Sequence, residues 1–190
     1  MLRLCVSGIS SLTDARYCAG MGVEYLSFKV DDSGKSSLAA PDLRAIRPWI
    51  EGVKWMGEFT GNTAGIFPGI TDDFQADAWL LASGTDTQLF SHSEIWFTFH
   101  PSNPDAAFPE TNLKLIPVDF SEDALRRLLA NAFRGPGQVM LAGIQQPEQA
   151  LKLAAEFPEL IFSLESGPEE RPGWMDLSAL QDFLEALDQD

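Results

Sequence analysis

Eight short apolar segments, spaced along the chain between longer segments of mixed polarity, constrain the fold of this sequence more than any other feature. Each segment is near-continuously apolar, as strands buried on both faces of a parallel sheet must be. The predicted strands are Leu2–Ser7, Tyr25–Val30, Val53–Phe59, Ala78–Ala82, Ile95–Phe99, Leu113–Phe120, Val139–Ala142 and Leu160–Leu164.

Several segments between the predicted strands carry helix start and stop signals. Gly22 follows the first of them, and Pro-Asp, Ser-Glu-Asp or Pro-Glu sequences open three others. Two further segments, Gly61–Asp73 and Pro101–Thr111, are rich in Gly, Pro, Asn and Asp, so any helix there should be short, irregular or absent. The predicted helices are Ser11–Met21, Pro41–Ile50, Ser121–Phe133, Pro147–Phe157 and Asp176–Leu187.

The alternation of strands with crossover segments predicts a single α/β domain spanning residues 1–190. Eight strands suit a (β/α)8 TIM barrel, and this one would be trimmed because about 250 residues is typical. A doubly wound open sheet is the competing architecture. In a barrel, ligands bind at the carboxyl ends of the strands, so the residues that end each strand are the candidates for a functional site.

The charge balance excludes one class of partner. Thirteen basic residues against 28 acidic residues give a formal net charge of −15, which opposes binding to DNA or RNA. A small phosphorylated ligand is still compatible with this charge, because backbone N–H groups at loops and helix starts can hold phosphate locally. We therefore expect a small-molecule ligand and no nucleic acid.

The sequence predicts a cytoplasmic protein that does not cross a membrane. No apolar stretch reaches the roughly 18 residues of a spanning helix, and the first residues lack the apolar core of a signal peptide. Cys5 and Cys18 form neither a CxxC pair nor a disulfide framework, so both are predicted to be reduced thiols. His92 and His100 have no carboxylate or cysteine at metal-ligand spacing, so no metal site is predicted.

The end of the first predicted strand carries a family resemblance. Val6-Ser7-Gly8-Ile9-Ser10-Ser11-Leu12-Thr13-Asp14-Ala15 resembles the opening of phosphoribosylanthranilate isomerase, in which K-[IV]-C-G-[IL]-T is followed by a short step to D-A. Further segments fall at the family's spacing, so the resemblance spans nearly the whole chain. They are Pro41, Leu141-Ala142-Gly143, Ser166-Gly167-Pro168-Glu169, Pro172-Gly173 and Asp176.

The resemblance implies a TIM barrel that catalyses an Amadori rearrangement in tryptophan biosynthesis, without cofactor or metal. A carboxylic acid protonates the ribose ring oxygen of N-(5'-phosphoribosyl)anthranilate, and a thiolate removes the proton from the adjacent carbon. The counterpart of the acid is Asp119 in Leu115-Ile116-Pro117-Val118-Asp119, where apolar neighbours would help a carboxyl to hold a proton. The alternative role for Asp119 is that of a carboxylate at a helix amino end.

The family's catalytic base is the point at which this sequence departs from the pattern. Ungapped alignment places Ser7 at the family's cysteine, and an alcohol lacks the thiol's ordinary pKa of about 8.5. Cys5 lies two residues earlier, on the same face of the strand but about 6.6 Å deeper, where we expect it to pack in the core. In a second alignment, a two-residue bulge would bring Cys5 to the catalytic position.

Substrate-binding positions follow from the same resemblance. Lys35 is the nearest cation to the family's substrate-positioning arginine, whose own place is taken by Ser37. The other candidates are backbone and hydroxyl groups at the ends of the first and last two strands: Gly8, Gly143, Ser166 and Gly167. Glu165 stands where the family has a serine, and a carboxylate there disfavours a phosphate dianion.

Two kinds of function therefore remain open, and for both the chain would be a monomer or a homodimer. The first is the isomerase itself. The second is a barrel that is not catalytic, or is repurposed, and that binds another small metabolite or a partner protein. A third reading, an enzyme of altered chemistry that uses Ser7, Asp119 and Glu165 on an unphosphorylated ligand, is also open.

Overall fold

Eight parallel strands close into a barrel, joined in the order of the chain. The computed structural model describes residues 2–9, 11–30, 45, 47–59, 75–90, 93–167, 169–171 and 174–187. The barrel strands are β1 Arg3–Ser7, β2 Tyr25–Lys29, β3 Lys54–Phe59, β4 Ala78–Ala82, β5 Glu94–Phe99, β6 Asn112–Leu115, β7 Val139–Ala142 and β8 Ile161–Glu165. A short antiparallel pair, β9 Glu169–Arg171 with β10 Trp174–Met175, follows the last strand.

The pairing of β1 with β8 confirms the trimmed TIM barrel and excludes the open sheet. Arg3 pairs with Ile161 and Ser7 with Glu165, so the first strand closes onto the last without a free edge. Seven predicted strands agree with the structure to within one residue at each end. The prediction for β6 was wrong at its end: it extended to Phe120, whereas the strand ends at Leu115, because Pro117 has no N–H to donate to a ladder.

Four α-helices pack outside the barrel in the described part of the chain: α1 Leu12–Gly20, α2 Glu122–Ala132, α3 Pro147–Glu156 and α4 Ser178–Leu187. Ser11 and Ser121 cap α1 and α2, since their hydroxyl oxygens accept hydrogen bonds from the backbone N–H groups of Asp14 and Ala124. The helix predicted from Asp176 instead begins at Ser178, because the Asp176 carboxylate accepts a hydrogen bond from the Ser178 N–H.

The crossovers in the middle of the chain are irregular where the structure describes them. Pro101–Thr111 forms turns without a helix, as its Gly, Pro, Asn and Asp content predicted. The β4–β5 connection holds one 3-10 turn, Gln88–Phe90, and Arg47–Trp49 is a second. The rest of the predicted helix Pro41–Ile50, apart from Ala45 and Ile50, lies outside the described residues, as does Gly61–Asp73.

Two apolar layers hold the fold together. The larger lies between the barrel and its helices, and the smaller fills the barrel lumen with side chains from alternate strand positions. Burying a large apolar side chain of this kind contributes roughly 1.5 to 3 kcal/mol. The lumen cluster consists of Cys5, Tyr25, Met56, Ala78, Leu80, Trp96, Met140 and Ile161.

A polar network closes the amino end of the barrel. The Glu94 carboxylate accepts hydrogen bonds from Trp96 Nε1 and Gln138 Nε2, both at 2.9 Å, and from Asn112 Nδ2 at 3.3 Å. Arg3 Nε bonds the Glu24 carboxylate at 2.8 Å. This amino-end network, which also contains Tyr25 and Lys54, leaves the carboxyl ends of the strands as the approach for a ligand.

No helix among the described residues has the length and apolar content needed to cross a membrane.

Candidate functional site

Polar side chains occupy inward-facing positions of the lumen near the carboxyl ends of the strands. Ser7 of β1 is buried at 1% exposure, and its Oγ lies 3.3 Å from Ser163 Oγ on the neighbouring strand β8. Ser27 of β2 donates a hydrogen bond to the Glu58 carboxylate at 3.3 Å. Because successive strand residues alternate between the two faces, Glu165 shares the inward side of β8 with Ser163.

A lysine from the opposite part of the barrel joins this layer. Lys114 on β6 is only 3% exposed, and its ammonium Nζ donates a hydrogen bond to Ser7 Oγ at 3.2 Å. Among the residues that the structure describes, no carboxylate forms an ion pair with Lys114. We call Lys114, Ser7 and Ser163 the lysine–serine cluster.

Sequence reasoning did not find Lys114. The signal was present, because a lysine inside the apolar run Asn112-Leu113-Lys114-Leu115-Ile116 is unusual for a buried strand. Lys114 lies two residues after Asn112, so the two side chains are on the same face of the strand. Asn112 faces inward, because it bonds Glu94 and the Ile95 carbonyl. Only the closed barrel brings Lys114 into contact with Ser7, since 107 positions separate the two residues.

Cys5 lies one layer below Ser7, in the lumen cluster, as expected from its position two residues earlier. It is completely buried, and the pKa of its thiol is raised to about 12, first by desolvation and against the opposing charge of Lys114. Strand β1 pairs with β8 from Arg3 to Ser7 without a register shift, so the two-residue bulge of the second alignment does not occur. Cys5 and Cys18 are both free, buried thiols.

Asp119 lies outside the buried part of the site. It follows the last residue of β6, Leu115, by four positions, and it is exposed to solvent. Its backbone φ is +59°, a left-handed conformation that aspartate tolerates better than most residues. The structure therefore does not give the Asp119 carboxyl the apolar surroundings that the sequence predicted. Its catalytic role stays a prediction.

The glycines and the serine that were predicted to bind substrate lie at the ends of β1, β7 and β8. Ser166 N–H bonds the Ser7 carbonyl at 2.9 Å, and Ser166 Oγ donates to the Gly8 carbonyl at 3.0 Å, so the ends of β1 and β8 are tied together. Gly8, Gly143 and Gly167 have φ of +82°, +86° and +94°, which glycine alone adopts without strain.

Charged residues of both signs surround this face. Glu165 and Lys29, which end β8 and β2, are exposed, and Glu58 of β3 is half-buried. The negative charges of Glu58 and Glu165 reach the lumen, since both raise the pKa of Cys5. Lys35, the predicted substrate-positioning cation, lies outside the described residues.

The histidines do not extend the site within the described residues. His100 is exposed directly after β5, and His92 lies outside the described ranges. In the described part of the chain, no group of three or more His, Cys, Asp and Glu residues is arranged to hold a metal ion.

Solved structures similar to this chain include several phosphoribosylanthranilate isomerases. The enzyme from Thermus thermophilus has a TM-score of 0.77 at 21% sequence identity, covering 99% of both chains. An enzyme from Thermotoga maritima has a TM-score of 0.77 at 18% identity, and one from Pyrococcus furiosus 0.71 at 14%, each covering 100% of both chains. No protein-family model and no curated protein sequence matches the chain. Identities this low show the fold, and function has to be argued from the site.

Proposed function

We propose that this chain is a cytoplasmic barrel that binds a small metabolite at the carboxyl ends of its strands, without the acid–base chemistry of phosphoribosylanthranilate isomerase. The observation that carries the proposal is the environment of Ser7, the residue that ungapped alignment places at the family's cysteine. Its hydroxyl lies 3.2 Å from the Lys114 ammonium and accepts a hydrogen bond from it. A neutral hydroxyl is a far weaker base than a thiolate, and accepting a hydrogen bond from an ammonium group lowers its basicity further.

The nearby thiol does not replace the missing base. Cys5 is fully buried with a pKa raised to about 12, so it is a neutral thiol throughout the physiological pH range. It also lies one layer below Ser7, among Met140, Ile161 and other lumen residues. A substrate at the strand ends would have to displace this packing to reach the sulfur.

Asp119, the counterpart of the family's general acid, is also poorly suited to that role. A carboxyl group that keeps its proton near neutrality needs an apolar or otherwise desolvated setting. Asp119 is exposed, and no hydrogen bond or ion pair joins its carboxylate to another described residue. Among the described residues that the resemblance assigns to the two proton transfers, none is therefore an enclosed acid or an ionised thiol.

The second candidate is the isomerase itself, acting on N-(5'-phosphoribosyl)anthranilate. It is favoured by the likeness to isomerase structures over 99% or more of the chain. Asp119 lies after β6, on the same side of the barrel as the other strand ends.

A turnover assay separates the two candidates. Purified protein at high concentration is expected to leave the anthranilate-type fluorescence of N-(5'-phosphoribosyl)anthranilate unchanged beyond its spontaneous decay. The Thermus thermophilus enzyme serves as the positive control, and Asp119→Asn as the matched variant. Enzymatic decay that Asp119→Asn abolishes would overturn the proposal and establish the isomerase.

Ser7→Cys is expected to give no measurable isomerase activity. The substitution restores the family's thiol, but it supplies neither an enclosed acid nor the missing positioning and phosphate contacts, which contribute much of the rate of such reactions. The same fluorescence assay measures this, and circular dichroism verifies that the variant is folded. A clear gain over wild type would mean that the thiol was the only missing component.

A further inference from the structure

The lysine–serine cluster contains a charged group, the Lys114 ammonium, that forms no ion pair with any described residue. The Lys114 ammonium has three N–H donors, and the hydrogen bond to Ser7 Oγ at 3.2 Å is the one that joins it to another described residue. The residue is 3% exposed, so bulk water does not solvate it freely. A buried ammonium that no anion contacts directly is costly.

The surrounding groups define what would compensate for this charge. Ser7 and Ser163 are 1% and 4% exposed, and their hydroxyl groups can donate hydrogen bonds to an anion that already contacts Lys114. Below the cluster lies the apolar lumen, where Cys5 and Met140 are fully buried, so the anion has to enter from the strand ends.

The acidic side chains of the same face limit the charge of the anion. Glu165 pairs with Ser7 in the register of β1 and β8, and Glu58 accepts a hydrogen bond from Ser27 at 3.3 Å. Two carboxylates on this face oppose a phosphate dianion more than they oppose a single negative charge. A carboxylate, with its single negative charge, therefore matches the electrostatics of this face better than a phosphate dianion.

We propose that the lysine–serine cluster is a subsite for the carboxylate group of the bound metabolite, held by Lys114 and by the hydroxyl groups of Ser7 and Ser163. This inference rests on the proposed function, because it names the ligand class of the same face of the barrel. In this subsite, Lys114 binds the carboxylate by its opposite charge. Ser7 donates a hydrogen bond to the carboxylate and does not act as a catalytic base.

Acetate is the probe, because it is the smallest stable alkyl carboxylate. The melting temperature of the full chain is measured in sodium acetate, in inorganic phosphate and in sodium chloride at equal ionic strength and pH. Acetate is expected to raise the melting temperature above the chloride value in a concentration-dependent manner, by mass action on the folded state. Phosphate is expected to have a smaller effect than acetate.

Lys114→Met removes the charge and keeps an unbranched apolar side chain of similar length. It is expected to weaken acetate binding by about tenfold or more, the effect of losing one hydrogen bond to a charged group. Lys152→Met is the matched control, because Lys152 is exposed on α3 and its loss changes the net charge equally. This control should respond to acetate as the wild type does.

Equal responses of Lys114→Met and wild type to acetate would overturn the proposal, as would a wild type that does not respond. A phosphate effect as large as that of acetate would overturn the assignment to carboxylates. Should Lys114→Met not fold, the side-chain ammonium NMR signals of the wild type provide the test, because acetate must shift that of Lys114. Isomerase turnover in the fluorescence assay would overturn the proposed function alone, whatever acetate does, so the two failures are distinguishable.

Discussion

Glu94→Ala is expected to lower the free energy of unfolding by roughly 3 kcal/mol. The Glu94 carboxylate accepts hydrogen bonds from Trp96, Asn112 and Gln138, and from the Tyr25 hydroxyl at 3.2 Å. Its removal leaves several donors without an acceptor at the amino end of the lumen, where water has only partial access. Urea unfolding followed by circular dichroism measures the loss.

Two control variants make the Glu94 result interpretable. Glu94→Gln keeps the shape of the side chain and one acceptor oxygen, so it should lower the free energy of unfolding less than Glu94→Ala does. Glu122→Ala removes an exposed glutamate that pairs with Arg126 one turn along α2, and its effect should stay within about 0.5 kcal/mol. If Glu94→Ala costs no more than Glu122→Ala, the amino-end network does not stabilise the barrel.

Gly167→Ala is expected to destabilise the fold by about 3 kcal/mol or more. A Cβ atom at Gly167 would lie 2.0 Å from the Asp176 carbonyl oxygen, and this oxygen belongs to the backbone, so the chain itself would have to move. The backbone φ of +94° adds strain for any residue with a Cβ atom. Differential scanning calorimetry measures the change in stability.

Gly143→Ala separates the two causes. Gly143 has a φ of +86°, but a Cβ atom there would have no neighbour within 4 Å. The stability lost in Gly143→Ala should therefore reflect backbone strain alone, about 1 to 2 kcal/mol. Equal losses in the two variants would show that the contact with Asp176 relaxes without cost.

The sequence predicted the barrel well because each strand is buried on both faces. This requirement makes the strands near-continuous apolar runs, and β4 and β7 were predicted with the bounds that the structure has. The β6 prediction failed because apolar composition continues through Ile116 and Val118 beyond the strand. Pro117 interrupts hydrogen bonding there, and Val118 is 66% exposed.

The candidate site was predicted only in part. The resemblance identified Ser7, Gly8, Ser166 and Gly167, which the structure brings together at the ends of β1 and β8. Lys114 was missed because its significance depends on burial and on contact with Ser7, and neither can be inferred from a local pattern. A charge that is buried by distant strands is a property of the closed barrel.

The closure of β1 onto β8 also determines when the barrel can form. Arg3 pairs with Ile161, and its side chain bonds Gln138 and the Glu159 carbonyl, so the contacts that complete the barrel join opposite ends of the chain. Contacts of such long range form slowly. During synthesis, the edge of β1 that pairs with β8 stays unpaired until β8 has been synthesised. The incomplete sheet exposes this edge and is therefore the state most prone to pair wrongly with other chains.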